Sequence, residues 1–264
     1  MTEGHATCLG VAMDPIGQRA LKPRLMYGLI GAVLGITAAR LADFYVTVRK
    51  AHRYSEGAVR FERRLVSPRC RVLIVGDSTA VGLGSASAEA SVAGRLAREF
   101  PDASIENYAR LGARVTTMLE QFECASGCFD AVLIAVGGND VIHGTPERRL
   151  RAGLDAVLVR ARQLSRFVIV ANSANVGAAP LFGWPLNLLL SRRSLRVRRV
   201  FAQVCRQHRV RFVNFTYRGQ RDAFARLRDE YFAEDRLHPS ATAYGYCYAV
   251  LKRRSALIQV LAGA

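Results

Sequence analysis

Lysine is almost missing from this chain, standing only at positions 22, 50 and 252 of 264 residues. The 38 basic residues are therefore nearly all arginine, against 21 acidic ones, for a net charge of +17. Arginine in place of lysine, with abundant alanine, reads as a compositional bias that leaves a basic, solvated surface. The alternative is an anionic partner. No nucleic-acid motif or pattern of stacking aromatics accompanies the charge, so nucleic acid is not expected as a partner. Tryptophan occurs once and proline eight times. Charged residues make up only 22% and hydrophobic ones 50%, which excludes a disordered chain and supports one sizeable core with an appendage. No repeat or low-complexity segment is present, so fibrous and solenoid classes fall away. Of six cysteines only Cys124 and Cys128 are close, with no second pair or histidine nearby, which argues against a metal site. On a helix they would be small buried residues one turn apart. In an exported protein a disulfide is the alternative.

Long apolar runs are scarce as well. The uncharged apolar run 25–39, LMYGLIGAVLGITAA, is fifteen residues long, short of the roughly 20 a span needs. Arg19, Lys22 and Arg24 precede it. A basic region before an apolar one is the layout of a signal peptide or signal anchor. The run extends to Val48 only by taking in Arg40 and Asp43, which can pair three residues apart on a helix. A buried amphipathic helix is the competing reading. The expectation is an N-terminal basic and hydrophobic segment, 1–48, making membrane contact through residues 25–48. A polar, basic connector, 49–69, and one domain, 70–264, follow. The protein would then be membrane-anchored or exported, in a bacterial cell envelope.

From residue 70 onward strands and helices alternate. Strands are expected at 71–76, 104–108, 131–136, 166–171 and 210–215. Helices are expected at 87–100, 115–124, 146–164, 195–208 and 241–260. Continuous apolar strands separated by helices imply a parallel sheet buried on both faces. In such a sheet the site lies beyond the carboxyl ends of the strands. The residues there are chemically loaded. The first strand runs into Gly76-Asp77-Ser78, the second into Asn107 and then Gly112, the third into Gly137-Gly138-Asn139-Asp140. Asp235-Arg236-Leu237-His238-Pro239 comes far downstream.

Each block alone is weak, but their order is specific. Together the four blocks resemble the SGNH, or GDSL-type, hydrolase family over about residues 70–260. The serine lies in GDS, then come a glycine, the asparagine of GxND and the histidine of DxxH. One departure concerns the stretch after Ser78, which reads TAVGLG without the leucine that gives GDSL its name. The resemblance implies an α/β fold: a flavodoxin-like three-layer α/β/α sandwich on a mostly parallel five-stranded sheet. It also implies a serine nucleophile, Ser78, with His238 as base and Asp235 orienting it. The oxyanion donors would be the backbone N–H groups of Ser78 and Gly112 and the side-chain amide of Asn139. The chemistry suits these types. Serine needs a base to take its proton, imidazole works near neutrality, and a carboxylate fixes its tautomer. No metal or organic cofactor is implied. Asp77 and Asp140 read as acceptors for loop N–H groups.

The expected function is a serine esterase acting on carboxylic esters through an acyl-enzyme on Ser78, its substrate a small-molecule or lipid-like ester or an acetylated sugar. An acyltransferase using the same site is one alternative, and an inactive basic membrane or nucleic-acid binding protein another. The apolar stretch 180–190, with Trp184, reads as an acyl-binding wall, a lid, a membrane-dipping loop or plain core. His143 reads as a turn histidine, and His5, His52 and His208 have no evident partners. The oligomeric state is not legible.

Overall fold

The computed structural model describes residues 59–264, together with Gly57 and with Tyr27, Gly28, Ile30, Gly31 and Gly35 in the N-terminal part. The chain divides into two compact units, 1–44 and 45–264. In the first, the five described residues are helical. The rest of the run 25–48 lies outside the described residues, as do His5 and His52. Among the described residues no helix is long and apolar enough to cross a membrane.

The second unit is a five-stranded sheet covered by helices on both faces. In chain order its elements are β1 (Cys70–Gly76), α1 (Ser78–Val81), α2 (Val92–Glu99), β2 (Ala103–Asn107), β3 (Ala131–Val136), α3 (Gly138–His143), α4 (Glu147–Leu164), β4 (Val168–Asn172), α5 (Leu186–Gln207), β5 (Arg211–Val213), α6 (Ala223–Arg226), α7 (Arg228–Tyr231), α8 (Ala241–Ser255) and α9 (Leu257–Ala262). The strand order is β2-β1-β3-β4-β5 and every pairing is parallel. Side chains alternate across a strand, so each apolar run feeds two cores. Leu73, Val75, Val132 and Ile134 pack with Leu154 of α4 and Phe201 of α5. Val72, Ile74, Leu133 and Ile169 pack with Leu96 of α2 and Leu251 of α8. The result is the three-layer sandwich expected from the sequence.

Several boundaries differ from the periodicity, each for a local reason. The expected helix 87–100 begins only at Val92, because the Ser91 side chain caps it by accepting from Gly94 N at 3.1 Å. The segment Val115–Phe122 is a 3₁₀ helix. The expected helix 241–260 breaks at Ala256, whose φ is +62°, and the turn lets Leu257 and Leu261 bury in the α8 core. Helix α5 starts nine residues early, at Leu186. The stretch 180–190 is therefore partly helix, with Phe182 and Leu190 buried while Trp184, Leu186, Leu188 and Leu189 are exposed. Cys124 and Cys128, expected as small buried residues, are exposed free thiols beyond the end of that 3₁₀ helix.

Part of the connector also packs on the domain. Arg63 forms an antiparallel bridge with Ile105, covering the free edge of β2. Its guanidinium donates to the carbonyls of Ala97, Phe100 and Ala103.

Candidate active site

The chain crosses from one side of β1 to the other: β2 lies on one flank and β3 on the other. This is the switch point at which open α/β sheets bind ligands. Ser78 follows β1 and Asn139 follows β3, so both arrive at this crevice.

The turn after β1 is held from several sides. Gly76 has φ +153°, and a Cβ there would lie 1.9 Å from the Ala135 carbonyl oxygen, so only glycine fits. Buried Gln121 accepts from Gly76 N at 2.8 Å and donates to Gly76 O at 2.9 Å. Asp77 is buried and caps α1: its Oδ1 accepts from Thr79 N at 2.9 Å and from the Thr79 hydroxyl at 2.7 Å. Its Oδ2 accepts from Gly137 N at 3.2 Å and Gly138 N at 3.3 Å. One carboxylate thus ties the Ser78 turn to the Asn139 turn. Burial pushes this carboxyl above its usual range, opposed by the Thr79 and Gly138 hydrogen bonds. Asp140 accepts from Val115 N at 3.0 Å, and burial raises it likewise. Both aspartates are loop acceptors.

The downstream block folds back onto Ser78. Asp235 is fully buried, and its Oδ1 accepts from Leu237 N and His238 N, each at 3.0 Å. Its Oδ2 stands 2.5 Å from His238 Nδ1. The opposite ring nitrogen, Nε2, is 3.1 Å from Ser78 Oγ. Burial alone would raise the Asp235 carboxyl. The His238 hydrogen bond and charge, with the two amides, outweigh it and hold the carboxyl below its ordinary value. Gly84 clamps this block: a Cβ there would meet the Pro239 carbonyl oxygen at 2.6 Å and His238 Cβ at 2.9 Å, at φ +90°.

Asn139 donates one amide hydrogen to the Ala113 carbonyl at 3.2 Å, leaving the second. With Ser78 and His238 it lines a cleft of about 80 Å³ walled by Ile142, Val176 and Leu237. Gly112 lies in the exposed turn after β2 at φ +73° and is not among the residues lining this cleft. Four of the five expected site residues are thus brought together; Gly112 is not among them, although the carbonyl of the next residue, Ala113, accepts from Asn139. His143 is exposed, its Nδ1 2.8 Å from the Asn139 carbonyl. His208, expected to lack a partner, stands with Nε2 2.6 Å from Asp155 Oδ1. Among the described residues no group of three or more His, Cys, Asp and Glu side chains is placed to hold a metal ion.

Residues 74–246, well over half of the chain, match the sequence profile of the GDSL-like lipase/acylhydrolase family. The chain belongs to this family. Solved structures with the same fold include Axe2, an acetylxylan esterase from Geobacillus stearothermophilus, at 18% identity and TM-score 0.54, over 73% of this chain and 96% of that one. A lipolytic G-D-S-L protein from Veillonella parvula aligns at 15% identity and TM-score 0.54, over 69% and 96%. TesA aligns at 19% identity and TM-score 0.55, over 70% and 97%. No curated protein sequence matches. As a member of this GDSL family the chain is a hydrolase of ester bonds.

Gln121 and Gly84 escaped the sequence reading. Gln121 sits near the end of the 3₁₀ helix Val115–Phe122 with no motif around it. Gly84 lies in the TAVGLG stretch after Ser78, and nothing marks it until the fold brings it against His238.

Proposed function

We propose that this GDSL-family protein is a serine esterase that hydrolyses small acyl esters through an acyl-enzyme on Ser78. The observation that carries the reading is the continuous relay from Ser78 Oγ to His238 Nε2 and from His238 Nδ1 to Asp235. His238 takes the Ser78 proton on Nε2 as Oγ bonds to the ester carbonyl carbon. Asp235 keeps the proton on Nδ1 and stabilises the imidazolium. His238 then gives its proton to the departing alkoxide as the C–O ester bond breaks. Water repeats the sequence: its proton goes to Nε2, its oxygen to the acyl carbon, and Ser78 recovers its proton as the acid leaves.

The tetrahedral oxyanion needs donors aimed into the cleft. The second amide hydrogen of Asn139 is one. The Ser78 N–H, at the start of α1 with no intrahelical partner, is another. Gly112 N–H, the third donor that the resemblance implies, lies off the cleft wall, in the turn whose Ala113 carbonyl accepts from Asn139. One such donor is typically worth about 3–4 kcal/mol. The size of the cleft points to a short acyl ester, and acetylated carbohydrate, the substrate class in the name of the Axe2 fold relative, is one class to test.

The test is hydrolysis of p-nitrophenyl esters by the full chain and its Ser78→Ala variant, with acetylated xylooligosaccharide in parallel. Turnover that disappears in Ser78→Ala supports the reading. Equal rates, or none from either folded protein, overturn it. Product carrying the acyl group on an added alcohol, in place of free acid, would identify a transferase.

A further inference from the structure

The sheet has a hollow directly behind the catalytic turn. Ala135 lies in β3, the middle strand, with β1 and β4 on either side and helices over its face, yet it retains accessible surface. So does Cys247, which points in from α8. The reason is a cavity of about 60 Å³ between the sheet and the α2 and α8 helices. Ala135 and Ala171, paired opposite each other in β3 and β4, are part of its lining, with Leu133, Val92 and Leu251. Most of the lining surface is apolar.

Two features mark it as a site for an apolar group. First, three of the four hydroxyl and amide side chains at its wall, all but Ser173, are already engaged. The Asn172 amide bonds to Thr216 Oγ1 at 2.7 Å and to Phe215 N at 2.9 Å, the Tyr244 hydroxyl to the Leu83 carbonyl at 2.8 Å, and the Thr79 hydroxyl to Asp77. An ordered water needs two to four polar partners, and these walls offer few. Second, the cavity adjoins the catalytic cleft. Thr79, Ser173, Ala174, Phe224 and Pro239 line both. Thr79 follows the nucleophile and Pro239 follows the base.

We propose that this inner cavity is an acyl-chain pocket, which receives the aliphatic tail of an ester whose carbonyl sits at Ser78. The inference rests on the esterase reading for its catalysis but not for its binding. The cleft and the inner cavity together approach the ~150 Å³ of an apolar protein cavity that binds benzene. That space suits a chain of about four to six carbons, longer than acetyl and far shorter than a membrane-lipid tail.

Filling the pocket from its far wall tests the proposal. Cys247→Leu and Ala171→Val each add carbon to the inner cavity without touching the cleft. In the unmodified protein, kcat/KM for p-nitrophenyl butyrate and hexanoate should match or exceed that for acetate. Either variant should lower the hexanoate value at least tenfold and leave acetate within twofold. Tm should change by only a few degrees, because a void is being filled. Acetate as the best substrate, with all chain lengths affected equally by both variants, would overturn the pocket and leave the esterase reading intact. So would a fall in Tm above about 10 °C in both variants, since that is overpacking of a full core. Binding of 1-hexanol to the Ser78→Ala chain, followed by ligand-observed NMR, provides the arm independent of catalysis. Binding lost in Cys247→Leu supports the pocket even if no ester is turned over, and absence of binding overturns it.

Discussion

His238 Nε2 stands 3.1 Å from Ser78 Oγ although the two residues are 160 positions apart in the chain. The contact exists because Asp235 fixes the His238 ring from the other side and Gly84 lets the segment approach the α1 turn. Nucleophile and base are each held in place by neighbouring groups, and those groups are where the structure is most open to test.

Asp235→Asn should lower kcat by about 10³–10⁴-fold, because an amide cannot hold the required imidazole tautomer or balance the imidazolium. The carboxyl sits below its ordinary value in the folded protein. Its contribution to stability is therefore fully present above about pH 4, the unfolded value, and is lost as pH falls through the lower folded one. Urea unfolding of the two proteins should show the unmodified one more stable at pH 6, with the gap narrowing toward pH 3.

Asp77→Ala should destabilise by about 2–4 kcal/mol, since it leaves several buried N–H donors without an acceptor. Asp77→Asn keeps an acceptor and should lose less. In either variant kcat should fall with little change in KM, because the Ser78 and Asn139 turns lose their shared tie. Denaturant titration with steady-state kinetics reads both effects.

Gln121→Leu is close in size but strands the Gly76 N–H inside the protein and removes one of the two donors to the Gly76 carbonyl, which keeps the Arg110 N–H. We expect a loss of about 1–3 kcal/mol and a drop in kcat, with partial recovery of stability in Gln121→Glu at low pH, where a protonated carboxyl can again donate and accept. A variant with unchanged Tm and kcat would refute this role.

Thiol alkylation near pH 8 should separate the cysteines. Cys124 and Cys128 are exposed and should react promptly. Burial pushes the Cys205 and Cys247 thiols up to about 12, so the thiolate is scarce and both should resist until the protein unfolds. Mass spectrometry of alkylated peptides distinguishes the two classes.

Much of the fold and of the candidate site is legible in the sequence because both rest on local signals. Four apolar residues ending on Gly-Asp-Ser specify a buried strand and the turn beyond it, whatever else the chain does. The same holds for Ala131–Val136 running into Gly-Gly-Asn-Asp. Asp235 and His238 are three apart, so their pairing is written locally too. The tertiary structure alone decided what depends on contacts between distant segments. Gln121 meets Gly76, Asp77 bridges to Gly137, and Gly84 admits His238, and no periodicity carries those pairings. The inner cavity is of the same kind. Ala135 and Ala171 are ordinary small residues in the sequence, and a void arises only where two strands set them side by side beneath α8.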